Sequence, residues 1–126
     1  MFRPMLYVDI EDICRAFTSF AEKILRDRVD REGGSLSHVF NVAWPEPVTI
    51  LDLAQMVQRA VKKYSKGEIV PEIEVVETGI PPLFSPEDKD MIRIDNRKAL
   101  EFLEIAPLTD PETTIDRLVR KKIQGE

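Results

Sequence analysis

Residues 38–64, HVFNVAWPEPVTILDLAQMVQRAVKKY, are the stretch from which the rest of the fold is predicted. The run at 38–43 is mostly apolar and has the length of a buried strand. Pro45 and Pro47 follow it and end it, because proline fixes φ and has no backbone N–H to donate. The stretch therefore begins as a strand and a stiff turn.

A long amphipathic helix is predicted directly after this turn. Thr49 stands at the N-cap position, and the carboxylate of Asp52 falls in the first turn, where the helix dipole favours it. Lysines and then Gly67 mark the C-terminal end, as dipole and C-cap preferences require. One face of the helix is apolar at the i, i+3, i+4 and i+7 spacing: Ile50, Leu53, Ala54, Val57, Ala60, Val61 and Tyr64.

Composition limits the classes of function. The chain has 126 residues, 43% of them hydrophobic and 33% charged, which indicates one folded domain spanning 1–126. Its net charge of -5 argues against nucleic-acid binding, since phosphate backbones require a clustered positive face. No apolar run reaches the length of a membrane span. The single Cys14 and single His38 exclude a Cys/His zinc site and favour a reducing, cytoplasmic location.

A strand at 5–10, a helix from about Asp9 or Glu11 to about Val29 and the strand at 38–43 form a predicted βαβ unit. Such units place their two strands parallel and adjacent in nearly all cases. The helix carries one apolar stripe, in which Cys14 is interpreted as a small core residue; the stripe consists of Ile13, Ala16, Phe17, Phe20, Ala21, Ile24 and Leu25. The predicted fold is α/β.

The second half of the chain is predicted to be smaller and mixed. Residues 73–76 and 91–95 have strand character, and a proline-rich loop at 79–90 lies between them. Asp95 is the predicted cap of a helix that carries Ala99, Leu100, Phe102 and Leu103. Asp110 followed by Pro111 predicts the start of a final helix, because proline is favoured at the first helical position.

Three segments, in order, resemble the extended short-chain dehydrogenases/reductases, the NAD-dependent epimerase/dehydratase family. They are MLYVDIEDICRAF, HVFNVA followed by VTILDLAQMV, and IDNRKALEFLEIAPLTDPETTIDRLV. The resemblance implies a partial Rossmann-type parallel strand pair with its crossover helix, extended by a small α+β substrate lobe. It also implies that this chain is the C-terminal, substrate-binding portion of a nucleotide-sugar epimerase or dehydratase.

The chain departs from the family pattern at several positions. Ala43 and Glu104 stand where the family prefers glycine, and the family's arginine position falls on Met5. The five glycines form no dinucleotide fingerprint, and neither tyrosine is followed by a lysine four residues later. A tyrosine–lysine pair at that spacing supplies the family's acid–base catalyst. The sequence therefore predicts no catalytic residue, metal or cofactor site here, although NAD is implied for a complete family member.

Four residues are candidate substrate contacts. Arg3 and Arg93 could bind a diphosphate through their planar guanidinium groups, or could be ordinary surface arginines. Trp44 could stack on a base or a sugar, or simply cover the turn that follows it. Phe84 could line a substrate cleft or anchor the 79–90 loop.

Two hypotheses about function follow. In the first, the chain binds a nucleotide-sugar substrate while residues on another segment or chain carry out hydride transfer. In the second, it is a non-catalytic interaction module that keeps the fold and oligomerises, because the edge of the 5–10 strand would be left unpaired. The expected partners are a second copy of the chain or a Rossmann-type segment, and neither nucleic acid nor a membrane.

Overall fold

The computed structural model describes residues 1–27, 39–76 and 79–125. Within them the chain is mostly helical. The helices are α1 (Ile10–Asp27), α2 (Ile50–Tyr64), a 3-10 helix (Pro86–Met91), α3 (Arg97–Leu103) and α4 (Pro111–Gln124). Two short strands complete the described elements, β1 (Pro4–Met5) and β2 (Val48–Thr49). His38, with the end of the predicted first helix, lies outside the described residues.

The predicted α/β fold with a Rossmann-type parallel strand pair is wrong. The sheet in the described part of the chain has two strands, β1 and β2, and they are antiparallel, with Pro4 opposite Thr49. The segments predicted to pair, 5–10 and 38–43, form no ladder in the described part of the chain. The Trp44 amide, one residue past the second segment, donates to the Tyr7 carbonyl at 2.7 Å. Residues 73–76 and 92–95 form no strand either.

Local capping explains why the first predicted strand is short. A carboxylate oxygen of Asp9 accepts from the Glu11 amide at 2.8 Å, and the Asp9 carbonyl accepts from the Ile13 amide at 3.1 Å. These bonds start α1 at Ile10, so few residues are left for a strand. A lone parallel pair of short strands is not stable by itself, since parallel pairing is weaker per residue and depends on neighbouring strands.

The 39–43 segment is held by side-chain amides and not by a parallel strand ladder. The Asn41 amide donates to the Asp95 carbonyl at 3.4 Å, and the Asn96 amide donates to the Ala43 carbonyl at 3.1 Å. The segment is thereby tied to the start of α3. Its apolar side chains Phe40 and Val42 pack on the core, which accounts for the apolar pattern that the sequence showed.

The predictions for α2 and α4 are confirmed. Thr49 caps α2 by accepting from the Asp52 amide at 3.1 Å, while Asp52 accepts from the Thr49 amide at 2.8 Å, so both donors are satisfied in a capping box. Gly67 follows the helix at a φ of 85°, the left-handed region that glycine tolerates best. Asp110 caps α4 by accepting from the Thr113 amide at 2.9 Å.

The core lies between α1 and α3. Ala16, Ala99 and Leu103 are buried there, and three phenylalanines surround them: Phe20, Phe40 and Phe102. The rings of Phe40 and Phe102 are stacked, with centroids 4.8 Å apart. The residue that follows α3, Glu104, has a left-handed φ of 52°, a conformation that glycine adopts most readily.

The predicted apolar stripe of α1 is divided between the core and the surface. Ala16 is buried and Phe20 packs on the core, but Phe17 is 71% exposed and Leu25 is 80% exposed. Cys14 is also exposed, so its interpretation as a core residue is wrong. The reason is that α3 covers one side of α1 and leaves the neighbouring side open.

A second layer forms where α2 packs against α4. Buried Ala60 lets the two helices approach closely, and charged pairs cross between them. Arg59 donates to Glu112 at 2.7 Å and Lys63 to Asp116 at 2.8 Å.

Candidate functional site

An open cleft of about 710 Å³ lies where four parts of the chain meet. The turn at 44–48 forms one side, α2 contributes Met56, and the end of the 3-10 helix and the start of α4 close the remainder. The volume falls in the range of small-molecule sites, about 300–1,000 Å³. Its lining consists of Trp44, Pro45, Glu46, Pro47, Val48, Met56, Lys89, Asp90, Arg93, Ile94, Asp110, Pro111 and Glu112.

The cleft brings together two of the four predicted substrate contacts, Trp44 and Arg93. Trp44 is half-buried, held by its backbone bond to Tyr7, and Arg93 is exposed. Arg3 is exposed next to β1 and does not line the cleft. Phe84 is half-buried in the loop before the 3-10 helix and does not line it either.

The two cations of the cleft differ in their availability to a ligand. Lys89 donates to the carboxylate of Asp52 at 2.8 Å, so its charge is already balanced. Arg93 takes part in no ion pair or hydrogen bond within residues 1–27, 39–76 and 79–125. A guanidinium presents several donors in a planar fork that suits phosphate or carboxylate oxygens. Arg93 is therefore the group best placed to bind an anion.

The ion pair of Lys89 also fixes the wall of the cleft. Asp52 lies in the first turn of α2, and its contact with Lys89 holds the 3-10 helix against that turn. Burial by itself would raise the pKa of Asp52, but hydrogen bonds from Lys89 and from the amide and hydroxyl of Thr49 outweigh it and lower the pKa. Asp52 therefore carries a full negative charge at neutral pH, and the contact is maintained.

Two of the four carboxylates in the lining are already bound within the protein. Asp110 caps α4, and hydrogen bonds from the Thr113 hydroxyl and amide hold its pKa below the usual range despite partial burial. Glu112 accepts from Arg59 of α2. Glu46 and Asp90 are exposed at the rim. These two can accept hydrogen bonds from hydroxyl or amino groups of a ligand.

The described lining offers binding groups and contains no Ser, Cys, His or Tyr side chain. It presents one aromatic ring, one unpaired guanidinium and two free carboxylates. Aromatic rings stack on the flat apolar faces of bases and sugars, and carboxylates accept from sugar hydroxyls. The arrangement suits a ligand that combines a ring, hydroxyl groups and a negative charge.

One other depression suits a ligand less well. A depression of about 610 Å³ near Arg97 and Phe102 is shallower, and its Asp95 is bound by Arg97 in an exposed ion pair. Among residues 1–27, 39–76 and 79–125, no group of three His, Cys, Asp or Glu side chains is placed to hold a metal ion.

The sequence did not single out Lys89, Glu46 or Asp90 as site residues. Lys89 and Asp90 belong to the 79–90 segment, which was predicted to be a loop and forms part of a 3-10 helix. A capping pattern around Ser85 and Asp88 could have indicated that helix. Glu46 carried no such signal, because its place in the cleft depends on parts of the chain that are distant in sequence.

Comparisons with known proteins give no relative. No family model matches the chain, and neither a search of curated proteins nor a search of solved structures finds a match. In the part of the chain that the structure describes, no helix is both long enough and apolar enough to cross a membrane.

Proposed function

We propose that this chain is the substrate-binding portion of an NAD-dependent nucleotide-sugar epimerase or dehydratase, and that the cleft holds the nucleotide-sugar. One observation carries the proposal. Trp44 and Arg93, chosen from the sequence as separate candidates for ring and diphosphate binding, line the same cleft. The order of the three sequence segments that resemble the family supports the same assignment.

Each part of a nucleotide-sugar has a counterpart in the cleft. The guanidinium of Arg93 binds diphosphate oxygens through paired hydrogen bonds. The indole of Trp44 stacks on a base or on the apolar face of a sugar. Glu46 and Asp90 accept from sugar hydroxyls, while Pro47 and Met56 supply apolar walls. The mixed charge of the lining favours such a ligand over a simple polyanion.

On this proposal the isolated chain binds and does not turn over. Hydride transfer at a sugar carbon would be carried out by NAD and a tyrosine–lysine pair on another segment or another chain. The single cysteine of the sequence supports a cytoplasmic location for this chemistry.

Binding can be measured directly because Trp44 is the only tryptophan in the sequence. We expect uridine- and thymidine-diphosphate sugars to change Trp44 fluorescence in a saturable way, and free sugar or NAD alone to have no effect. Calorimetric titration would give the dissociation constants independently of fluorescence.

Arg93→Gln tests the role assigned to the guanidinium. Loss of a charge-assisted bidentate contact should weaken binding by about ten-fold or more. Arg120→Gln is the matched control, since Arg120 is exposed on α4 and does not line the cleft. Equal effects of the two substitutions, or no saturable binding by the unmodified chain with or without a Rossmann-type partner, would refute the proposal.

A further inference from the structure

Residues 79–94 are weakly attached to the rest of the protein. None of them is buried, and the apolar residues Ile80, Leu83 and Met91 are 75%, 91% and 81% exposed. Within the described part of the chain, a single ion pair joins this segment to a residue before it, the contact of Lys89 with Asp52 at 2.8 Å. Segments with so few buried contacts are those that separate from a protein at the lowest cost in free energy.

The segment nevertheless has structure of its own. It contains the 3-10 helix, and just before that helix the Ser85 amide donates to the Asp88 carboxylate at 2.6 Å. The Asp88 amide donates in turn to the Ser85 carbonyl at 3.2 Å. Pro81 and Pro82 stiffen the part before the helix, because proline fixes φ. Local bonds of this kind let the segment keep its shape while it moves.

The two ends of the segment limit where it can bend. Gly79 has a φ of 71°, a region that glycine enters without strain, so the chain can pivot there. At the other end the Asp95 carbonyl accepts from the Asn41 amide at 3.4 Å, and the Asn96 amide donates to the Ala43 carbonyl at 3.1 Å. The chain is therefore fixed again from Asp95 onward, and motion is confined to the residues before it.

The ion pair that holds the segment is of a kind that breaks easily. The side chains of Lys89 and Asp52 are 37% and 30% exposed, and ion pairs that water can reach shift an equilibrium by up to about five-fold. When Lys89 leaves, the Asp52 carboxylate keeps its bond from the Thr49 amide at 2.8 Å and its favourable place in the first turn of α2. Release therefore leaves no buried charge without a partner.

We propose that residues 79–94 are a hinged flap that forms one wall of the ligand cleft, and that the ion pair of Lys89 with Asp52 is its latch. Among the residues that line the cleft, the flap carries Lys89, Asp90, Arg93 and Ile94. With the latch closed, Arg93 is held at the cleft. With the latch open, this wall moves away and a ligand can enter or leave. The flap is a property of the free chain and does not depend on which ligand the cleft binds.

Paramagnetic relaxation enhancement in the full chain without ligand tests the latch. In a Cys14→Ser background, Gln55→Cys places a nitroxide label at an exposed position of α2, one turn after Asp52. The label should broaden the amide resonances of residues 87–91 while the latch is closed. Adding Lys89→Gln should reduce this broadening by about 40%, because loss of a five-fold preference takes the closed fraction from about five-sixths to about one-half.

Lys63→Gln is the matched control, since Lys63 also lies on α2 and contacts Asp116 of α4 at the same distance, 2.8 Å. The packing of α2 against α4 remains without that pair, so the broadening of residues 87–91 should not change. Unchanged broadening in Lys89→Gln, or an equal decrease in Lys63→Gln, would overturn the latch. Loss of the helical chemical shifts of residues 87–91 in Lys89→Gln would overturn the flap, because the segment would then unfold and not move as a unit. Failure of the proposed function is seen separately, as the absence of saturable nucleotide-sugar binding.

Discussion

The buried carboxylate of Asp9 should contribute strongly to the stability of the tertiary structure, and Asp9→Asn tests that expectation. The residue is 4% exposed and lies just before α1. Its carboxylate accepts from the Glu11 amide at 2.8 Å, from the Thr114 hydroxyl at 2.6 Å and from Arg117 at 2.6 Å. The last two partners belong to α4, so Asp9 joins the start of α1 to the final helix.

The size of the effect follows from these contacts. An asparagine keeps the shape and can still accept from Glu11, but its NH₂ group would face the donors of Arg117. Removing one partner of a buried ion pair costs about 3–5 kcal/mol. Arg117 is 25% exposed and keeps its contact with Glu11, which reduces the loss. We therefore expect Asp9→Asn to lower the free energy of unfolding by about 2–3 kcal/mol.

The same contacts predict how the effect depends on pH. Burial would raise the pKa of Asp9, but hydrogen bonds from Thr114, the Glu11 amide and Arg117 outweigh it and lower the pKa in the folded protein. A lowered folded pKa gives stability that is complete above the unfolded value of about 3.9 and is lost as the pH falls through the folded value. The difference between Asp9→Asn and the unmodified chain should therefore be full at neutral pH and vanish in strong acid.

Urea unfolding followed by circular dichroism, repeated from neutral to acid pH, measures this difference. The matched control is Asp95→Asn, because Asp95 also binds an arginine but is 59% exposed, and surface pairs contribute little. The reasoning would be refuted if Asp9→Asn changed stability no more than Asp95→Asn does, or if its effect grew as the pH fell.

Two further substitutions test the local structure of the helices. Thr49→Ala removes the capping hydroxyl of α2 and should lower the free energy of unfolding by about 1 kcal/mol. The control Thr18→Ala, at an exposed position within α1, should leave stability unchanged or raise it slightly. Equal urea midpoints for the two variants would contradict the capping role. Glu104→Gly should raise stability by about 0.5–1 kcal/mol, because glycine adopts the left-handed conformation at the end of α3 without strain and the exposed pair with Lys23 contributes little. A lower melting temperature in this variant would show that the contact with Lys23 outweighs the strain.

Some residues of the cleft could be predicted from the sequence and others could not. Trp44 and Arg93 were identified by side-chain chemistry alone, and the structure places both in the cleft. Lys89 was not identified, because its role depends on Asp52, and no sequence spacing connects a helix N-terminus with a loop so far along the chain. Arg3 has the same chemistry as Arg93 but lies outside the cleft, a difference that chemistry cannot reveal.

The helices α2 and α4 were determined by the sequence itself. Their caps, dipole charges and apolar spacing act over a few residues, so Thr49 and Asp110 specify where each helix starts whatever surrounds it. The apolar run at 39–43 did not specify its own secondary structure in the same way. It would suit a buried strand, and it equally suits an irregular segment packed on a core.

Only the tertiary structure decided how these pieces pair. Whether 39–43 forms a ladder with 5–10 depends on backbone partners that are distant in sequence. The side chains of Asn41 and Asn96 instead connect that segment to the start of α3. The same applies to α1, whose apolar stripe is partly buried and partly exposed because α3 covers one side of it. Periodicity specifies that a face is apolar, but the partner that covers the face is fixed by long-range packing, which no short stretch of sequence contains.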